Sequence, residues 1–224
     1  MNESVLLSWD DNPRDPPARP PRAGMRRGAS PKSRPDDATL IALSVVEPEV
    51  FAAIFDRHAT EIHRYAARRL GDGVAEDVVG ETFLVAFRRR ERYDQAYPDA
   101  RPWLYGIATN MISRHRQAEV RFYRALARTG VDPVIESPAD DVIARVSAAG
   151  QRRGIAAALA RLSASDRNTL LLVVWAELSY DEAASALRIP IGTVRSRLNR
   201  ARRKMREALD GGRLTQSTEE SDHA

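Results

Sequence analysis

Leu178-Ser179-Tyr180-Asp181-Glu182-Ala183-Ala184, followed a little further on by Ile191-Gly192-Thr193-Val194-Arg195-Ser196-Arg197-Leu198-Asn199-Arg200-Ala201-Arg202, is the stretch on which the reading of this chain turns. Ser179 and Glu182 have capping-box spacing. The Ser hydroxyl accepts from the third helical N–H while the Glu reaches back to the cap, so a short helix begins there. It is expected to run to about Leu187 with Ala183, Ala184 and Leu187 buried, before Arg188-Ile189-Pro190-Ile191-Gly192 breaks it. A long basic helix then starts at about Thr193. Two helices joined this closely form a helix-turn-helix.

At about 100° per residue, Val194, Leu198, Ala201 and Met205 share the face of the last helix that packs on the domain. Ser196, Asn199, Arg200 and Arg203 then point away from the core, flanked by Arg195, Arg197 and Arg202. Guanidinium groups bond bidentately to guanine or fork onto phosphate, Asn pairs with adenine, and a short Ser allows close approach in a major groove. An exposed basic helix is commonplace by itself. The capped helix and tight turn before it are what make DNA recognition the better reading.

Working back along the chain, Ile155, Leu159 and Leu162 precede Ser163-Ala164-Ser165-Asp166, and Leu170, Leu171, Val173, Val174 and Leu178 follow, which indicates two more helices. Further upstream, Phe51, Ile54, Phe55, Ile62, Tyr65 and Ala66 have the spacing of a helix entered through Pro48 and ended at Gly71-Asp72-Gly73. Ala75, Val79, Phe83 and Ala86 form a second stripe, widened by Val78, Thr82 and Val85, so that helix must sit between neighbours. Leu104, Ile107, Ala108, Met111 and Ile112 mark a third, with Pro102 in its first turn.

The expected fold class is therefore all-α, with two small helical domains over 48–117 and 149–210 joined by a flexible linker at 118–148. The linker assignment rests on fading periodicity near Arg116 and on Gly130, Pro133 and Pro138. Residues 1–47 read as a disordered tail, since Pro13, Pro16, Pro17, Pro20, Pro21, Pro31 and Pro35 hold over half of the chain's 13 prolines. Met25 is an alternative start, and 211–224 read as a second tail. The whole chain has 224 residues and no cysteine, which excludes disulfides, thiolate metal sites and thiol catalysis and fits a reducing compartment. No apolar run approaches the ~20 residues that cross a bilayer, and no signal peptide is legible, so a cytoplasmic chain without membrane insertion is expected. A net charge of +4 favours an acidic partner only weakly, but the positive charge is concentrated at 101–128 and 188–206.

The quoted C-terminal stretch resembles the C-terminal domain of extracytoplasmic-function (ECF) sigma factors of the sigma-70 family. Independently, Ala75-Glu76-Asp77-Val78-Val79-Gly80-Glu81-Thr82-Phe83-Leu84 and Arg101-Pro102-Trp103-Leu104-Tyr105-Gly106-Ile107-Ala108-Thr109-Asn110 are similar to that family's other domain. The resemblance implies a non-catalytic, dissociable subunit whose partners are core RNA polymerase, promoter DNA and an anti-sigma factor or other regulator. It implies polymerase contacts at Asp77, Gly80 and Glu81. Gly80 departs from the family's usual Gln, so that role rests on Asp77 and Glu81. Minus-thirty-five recognition is implied for Arg195, Ser196, Asn199, Arg200 and Arg203.

The minus-ten site maps onto 101–116 and the polar loop at 91–100. Asn110, Arg114 and Arg116 are suited to released phosphates, and Tyr93 and Tyr97 are the better-exposed loop aromatics for a captured base. Trp103, one turn into an apolar helix, is more often core. No cofactor or metal is expected. His58 and His63 lie about 140° apart around a helix and cannot share a metal, and no phosphate loop or nucleophile elbow occurs. Asp36-Asp37 and Asp140-Asp141 are read as solvated acids in linkers. The alternative readings are an autonomous helix-turn-helix regulator and, less favoured, a nucleic-acid-modifying enzyme.

Overall fold

The computed structural model describes residues 35–130 and 142–221, with side chains described for 35–130 and 149–209. Most of the expected N-terminal tail, the centre of the expected linker and Asp140-Asp141 lie outside these residues. No strand occurs among the described residues, and the all-α expectation holds.

The first helix, α1 (Asp37–Val46), falls inside the expected tail and corrects it. Asp36 caps it by accepting from the Thr39 N–H at 2.8 Å, and Ala38, Leu40 and Ile41 are buried. A 3-10 turn at Pro48–Phe51 leads into α2 (Ala52–Leu70), which ends at Gly71 with φ 84°, a conformation that suits glycine. Helix α3 (Asp72–Arg89) and a second 3-10 turn (Arg90–Arg92) follow, then α4 (Arg101–Arg114) with Pro102 in its first turn. Helix α2 lies against α3 and α4, burying Ile54, Ile62, Val78, Phe83, Leu104 and Ile112.

Helix α5 (Arg116–Thr129) occupies the first part of the expected linker. Its apolar content is low, but Glu119 and Tyr123 are each 1% exposed, because their partners come from other helices. After the undescribed stretch come α6 (Val142–Arg161), α7 (Ala164–Val174), α8 (Tyr180–Leu187) and α9 (Ile191–Ser221). Helix α9 thus continues through most of the expected C-terminal tail. The capping box is present as read: Glu182 N–H donates to Ser179 Oγ at 3.2 Å and Ser179 N–H to Glu182 Oε2 at 2.7 Å. Ala183 is buried as expected, whereas Ala184 and Leu187 are half-buried and Ala186 takes the second inner position.

The helices before and after the undescribed stretch pack directly on one another, α5 on α6 and α4 on α8. Gly106 of α4 makes the latter contact possible: a Cβ there would lie 2.5 Å from the Ala186 carbonyl oxygen. Beside it, Glu119 is held between two arginines. Arg69 Nε donates to Oε1 at 2.7 Å and Arg167 Nη2 to Oε2 at 2.8 Å, with Arg69 0% and Arg167 1% exposed. Arg69 also donates to Tyr65 Oη and Asn168 Oδ1, and Arg167 Nη1 donates to the carbonyls of Leu159 and Leu162 at the end of α6. A buried charge is tolerated only with this degree of pairing.

Candidate nucleic-acid interface

Helices α8 and α9 are separated only by residues 188–190, with Arg188 left-handed at φ 53° to turn the chain. The face of α9 is as the 100° rotation predicts. Val194, Leu198, Ala201 and Met205 are at most 4% exposed, while Arg195, Ser196, Asn199, Arg200 and Arg203 lie on the solvent side. Ser196 Oγ donates to the Thr193 carbonyl, Arg202 Nη2 donates to Tyr180 Oη, and Arg203 stands 3.6 Å from Glu207 in an exposed pair. Arg200 is engaged more firmly. Its Nε and Nη2 donate to the carboxylate of Asp166 at 2.8–3.0 Å, and that carboxylate is only 1% exposed. Burial pushes Asp166 up, but hydrogen bonds from Arg200 and Ser163 outweigh it and hold the carboxyl below its ordinary value.

In the other half, Asn110, Arg114 and Arg116 are exposed along α4 and the start of α5, and Arg114 lies 3.8 Å from Glu81 across a solvated gap. Tyr97 is 52% exposed, as expected of a loop aromatic. Tyr93 is not: it is 8% exposed, its ring meets Trp103 at 4.9 Å, and its hydroxyl donates to the carbonyls of Tyr97 and Asp99. The hydroxyl is satisfied by the loop's own backbone, which draws the ring inward. Burial is the first cause raising its pKa. Asp77, Gly80 and Glu81 lie on the exposed face of α3.

The loop is braced from beneath by Asp37, which the sequence reading took as a solvated linker acid, and by His58 and Glu61, to which it gave no role. Asp37 Oδ2 accepts from the Ala100 N–H at 3.0 Å and pairs with His58 Nε2 at 2.8 Å, and Asp37 Oδ1 accepts from Arg57 at 2.9 Å. His58 Nδ1 meets Glu61 Oε1 at 2.8 Å, and Glu61 Oε2 accepts from Arg101. Burial alone would push His58 down, but the two carboxylates win and raise it from 6.5 to about 9. Burial likewise pushes Asp37 up, and His58, Ala100 and Arg57 together bring it from 3.8 to about 2. An imidazolium with both N–H groups donating is thus the stable form at neutral pH.

A pH dependence follows. The His58 contribution is complete below pH 6.5 and is lost as pH rises through 9, whereas that of Asp37 is complete above 3.8 and is lost as pH falls through 2. Both express one interaction and are not added. The stability difference between wild type and His58→Gln, measured by urea denaturation, is expected to shrink between pH 6.5 and 9 by on the order of 3 kcal/mol. A difference that stays constant across that range would show that His58 is not charged in the fold.

Comparison with known proteins agrees with this geometry. The family model described as Sigma-70 region 2 matches residues 54–122, and that described as Sigma-70, region 4 matches 152–205. The chain belongs to the sigma-70 family, within its ECF group. It is 36% identical over 173 residues to ECF RNA polymerase sigma factor SigL of Mycobacterium tuberculosis, covering 77% of this chain and 96% of the relative. ECF RNA polymerase sigma factor SigK of Mycobacterium bovis is 28% identical over 176 residues, covering 78% and 93%. Among solved structures, CnrH in complex with the cytosolic domain of CnrY is similar at a TM-score of 0.55 and 25% identity, covering 78% of this chain and 97% of that one. The sigma factor RpoE of Bartonella quintana, solved with the anti-sigma factor NepR, shares the fold at a TM-score of 0.50 and 23% identity, covering 71% and 96%.

Proposed function

We propose that this chain is a promoter-specificity subunit of bacterial RNA polymerase that joins the core enzyme, opens the minus-ten element with residues of 48–117 and reads the minus-thirty-five duplex with residues of 149–210. The observation that carries this reading is the capped α8 followed by α9, whose apolar seam is buried and whose opposite face carries Arg195, Ser196, Asn199, Arg200 and Arg203. The subunit makes and breaks no bond itself, and it works in the cytoplasm. Among the described residues no helix is long and apolar enough to cross a membrane. Added to purified core polymerase, the chain is expected to produce transcripts from defined starts. Core enzyme that initiates equally well at those starts without it would defeat the proposal.

Asn110, Arg114 and Arg116 supply the phosphate contacts for strand opening, and Tyr97 is the loop aromatic available to a base. Tyr93 shapes that loop rather than stacking on DNA. The two promoter elements lie about 25 base pairs apart, or about 85 Å of duplex, so the α4–α8 contact has to open when both are held. An anti-sigma partner suits a chain of this family; the sigma factor RpoE, which shares the fold, is solved in complex with the anti-sigma factor NepR.

Asp77 and Glu81 carry the polymerase contact, with Gly80 between them. A Cβ at Gly80 would meet nothing within 4 Å. Gly80→Gln is therefore expected to raise helix stability by about 0.5–1 kcal/mol and to tighten binding to core polymerase. Unchanged binding in a competition assay would place the polymerase contact elsewhere.

A further inference from the structure

Asp166 is the third residue of α7, where a carboxylate normally faces solvent near the positive end of the helix. Here it is 1% exposed and turned onto α9, while the Arg200 side chain is 45% exposed. The pairing is side-on: Nε lies 3.0 and 2.9 Å from Oδ1 and Oδ2, and Nη2 lies 2.8 Å from Oδ1. A guanidinium has five N–H bonds in a rigid fork. Side-on pairing uses Nε–H and one hydrogen of Nη2. The other Nη2 hydrogen and the Nη1 hydrogen beside it remain on the end-on edge, a parallel donor pair that can bond bidentately to guanine O6 and N7, while the second Nη1 hydrogen points back toward Cδ.

We infer that Asp166 is a positioning residue for minus-thirty-five readout, holding the Arg200 guanidinium so that its end-on edge is presented to a guanine. The inference rests on α9 being the reading helix. A free arginine on a helix samples many rotamers and loses that freedom on binding. The buried carboxylate removes most of it beforehand and, being shielded from the duplex by Arg200 itself, adds little repulsion toward phosphate. Arg203, whose acidic neighbour Glu207 is as exposed as it is, has no such anchor.

The test uses full-length chain assembled with core polymerase on a promoter library randomised over the minus-thirty-five region, with base preference read by sequencing the bound fraction. Wild type is expected to prefer guanine at one position, and Arg200→Ala and Arg200→Lys to lose that preference. Asp166→Asn is expected to weaken it at the same position by about three- to tenfold, leaving other positions unchanged and adding nothing to Arg200→Ala. Asp166→Glu, which keeps the charge, is expected to recover part of it. Thermal melting of each variant separates loss of fold from loss of readout. An unchanged preference profile in Asp166→Asn, equal weakening on every sequence, or tighter binding would each overturn the inference. A wild-type holoenzyme with no preference at any position would instead defeat the reading of α9 itself.

Discussion

Glu119→Gln is expected to lower folding stability by about 3–5 kcal/mol, the usual cost of removing one partner from a buried ion pair. The neutral amide leaves Arg69 and Arg167 facing each other without the carboxylate that balances them, in a place where they are 0% and 1% exposed. It also turns a donor toward a donor, since each Glu119 oxygen accepts from an arginine. For a chain of this size the corresponding fall in Tm is roughly 6–20 °C. The loss should reach both halves, because Arg167 also satisfies the carbonyls of Leu159 and Leu162. A melting temperature unchanged from wild type would mean that α5 and α7 are not joined through this carboxylate.

Gly106→Leu is expected to separate α4 from α8 altogether, and Gly106→Ala to strain the same contact. The first added carbon would sit 2.5 Å from the Ala186 oxygen and 3.2 Å from its Cα, and both are backbone atoms that cannot rotate away. Overpacking of this kind costs about 1–3 kcal/mol, which exceeds the ~1 kcal/mol that replacing a helical glycine returns. Chemical denaturation should show lower stability for both variants, and small-angle scattering a larger radius of gyration for Gly106→Leu. A more stable Gly106→Leu of unchanged dimensions would remove the contact from the fold.

The buried seam of α9, the capping box of α8 and helices α2, α3 and α4 were legible because each is written in local periodicity or in residues three apart. Helix α1 was less so: its short apolar run adjoins a proline-rich tail, and the reason it docks is the pairing of Asp37 with His58 and Ala100. Helix α5 was hidden for a similar reason, since its inward residues are a carboxylate and a phenol rather than aliphatic side chains. Tyr93 looked exposed because its loop is polar, but that loop's carbonyls are what hold its hydroxyl.

The amino-acid sequence by itself determined the helical class, the helix-turn-helix and which face of its last helix is basic, because a helix's own repeat distributes apolar and charged residues without help from the rest of the chain. Only the tertiary structure decided that Glu119 joins Arg69 to Arg167, that Gly106 lets two helices touch, and that Asp166 holds Arg200. Those contacts join residues tens of positions apart, and in low-dielectric surroundings a charge is defined by its partner, which no local pattern names.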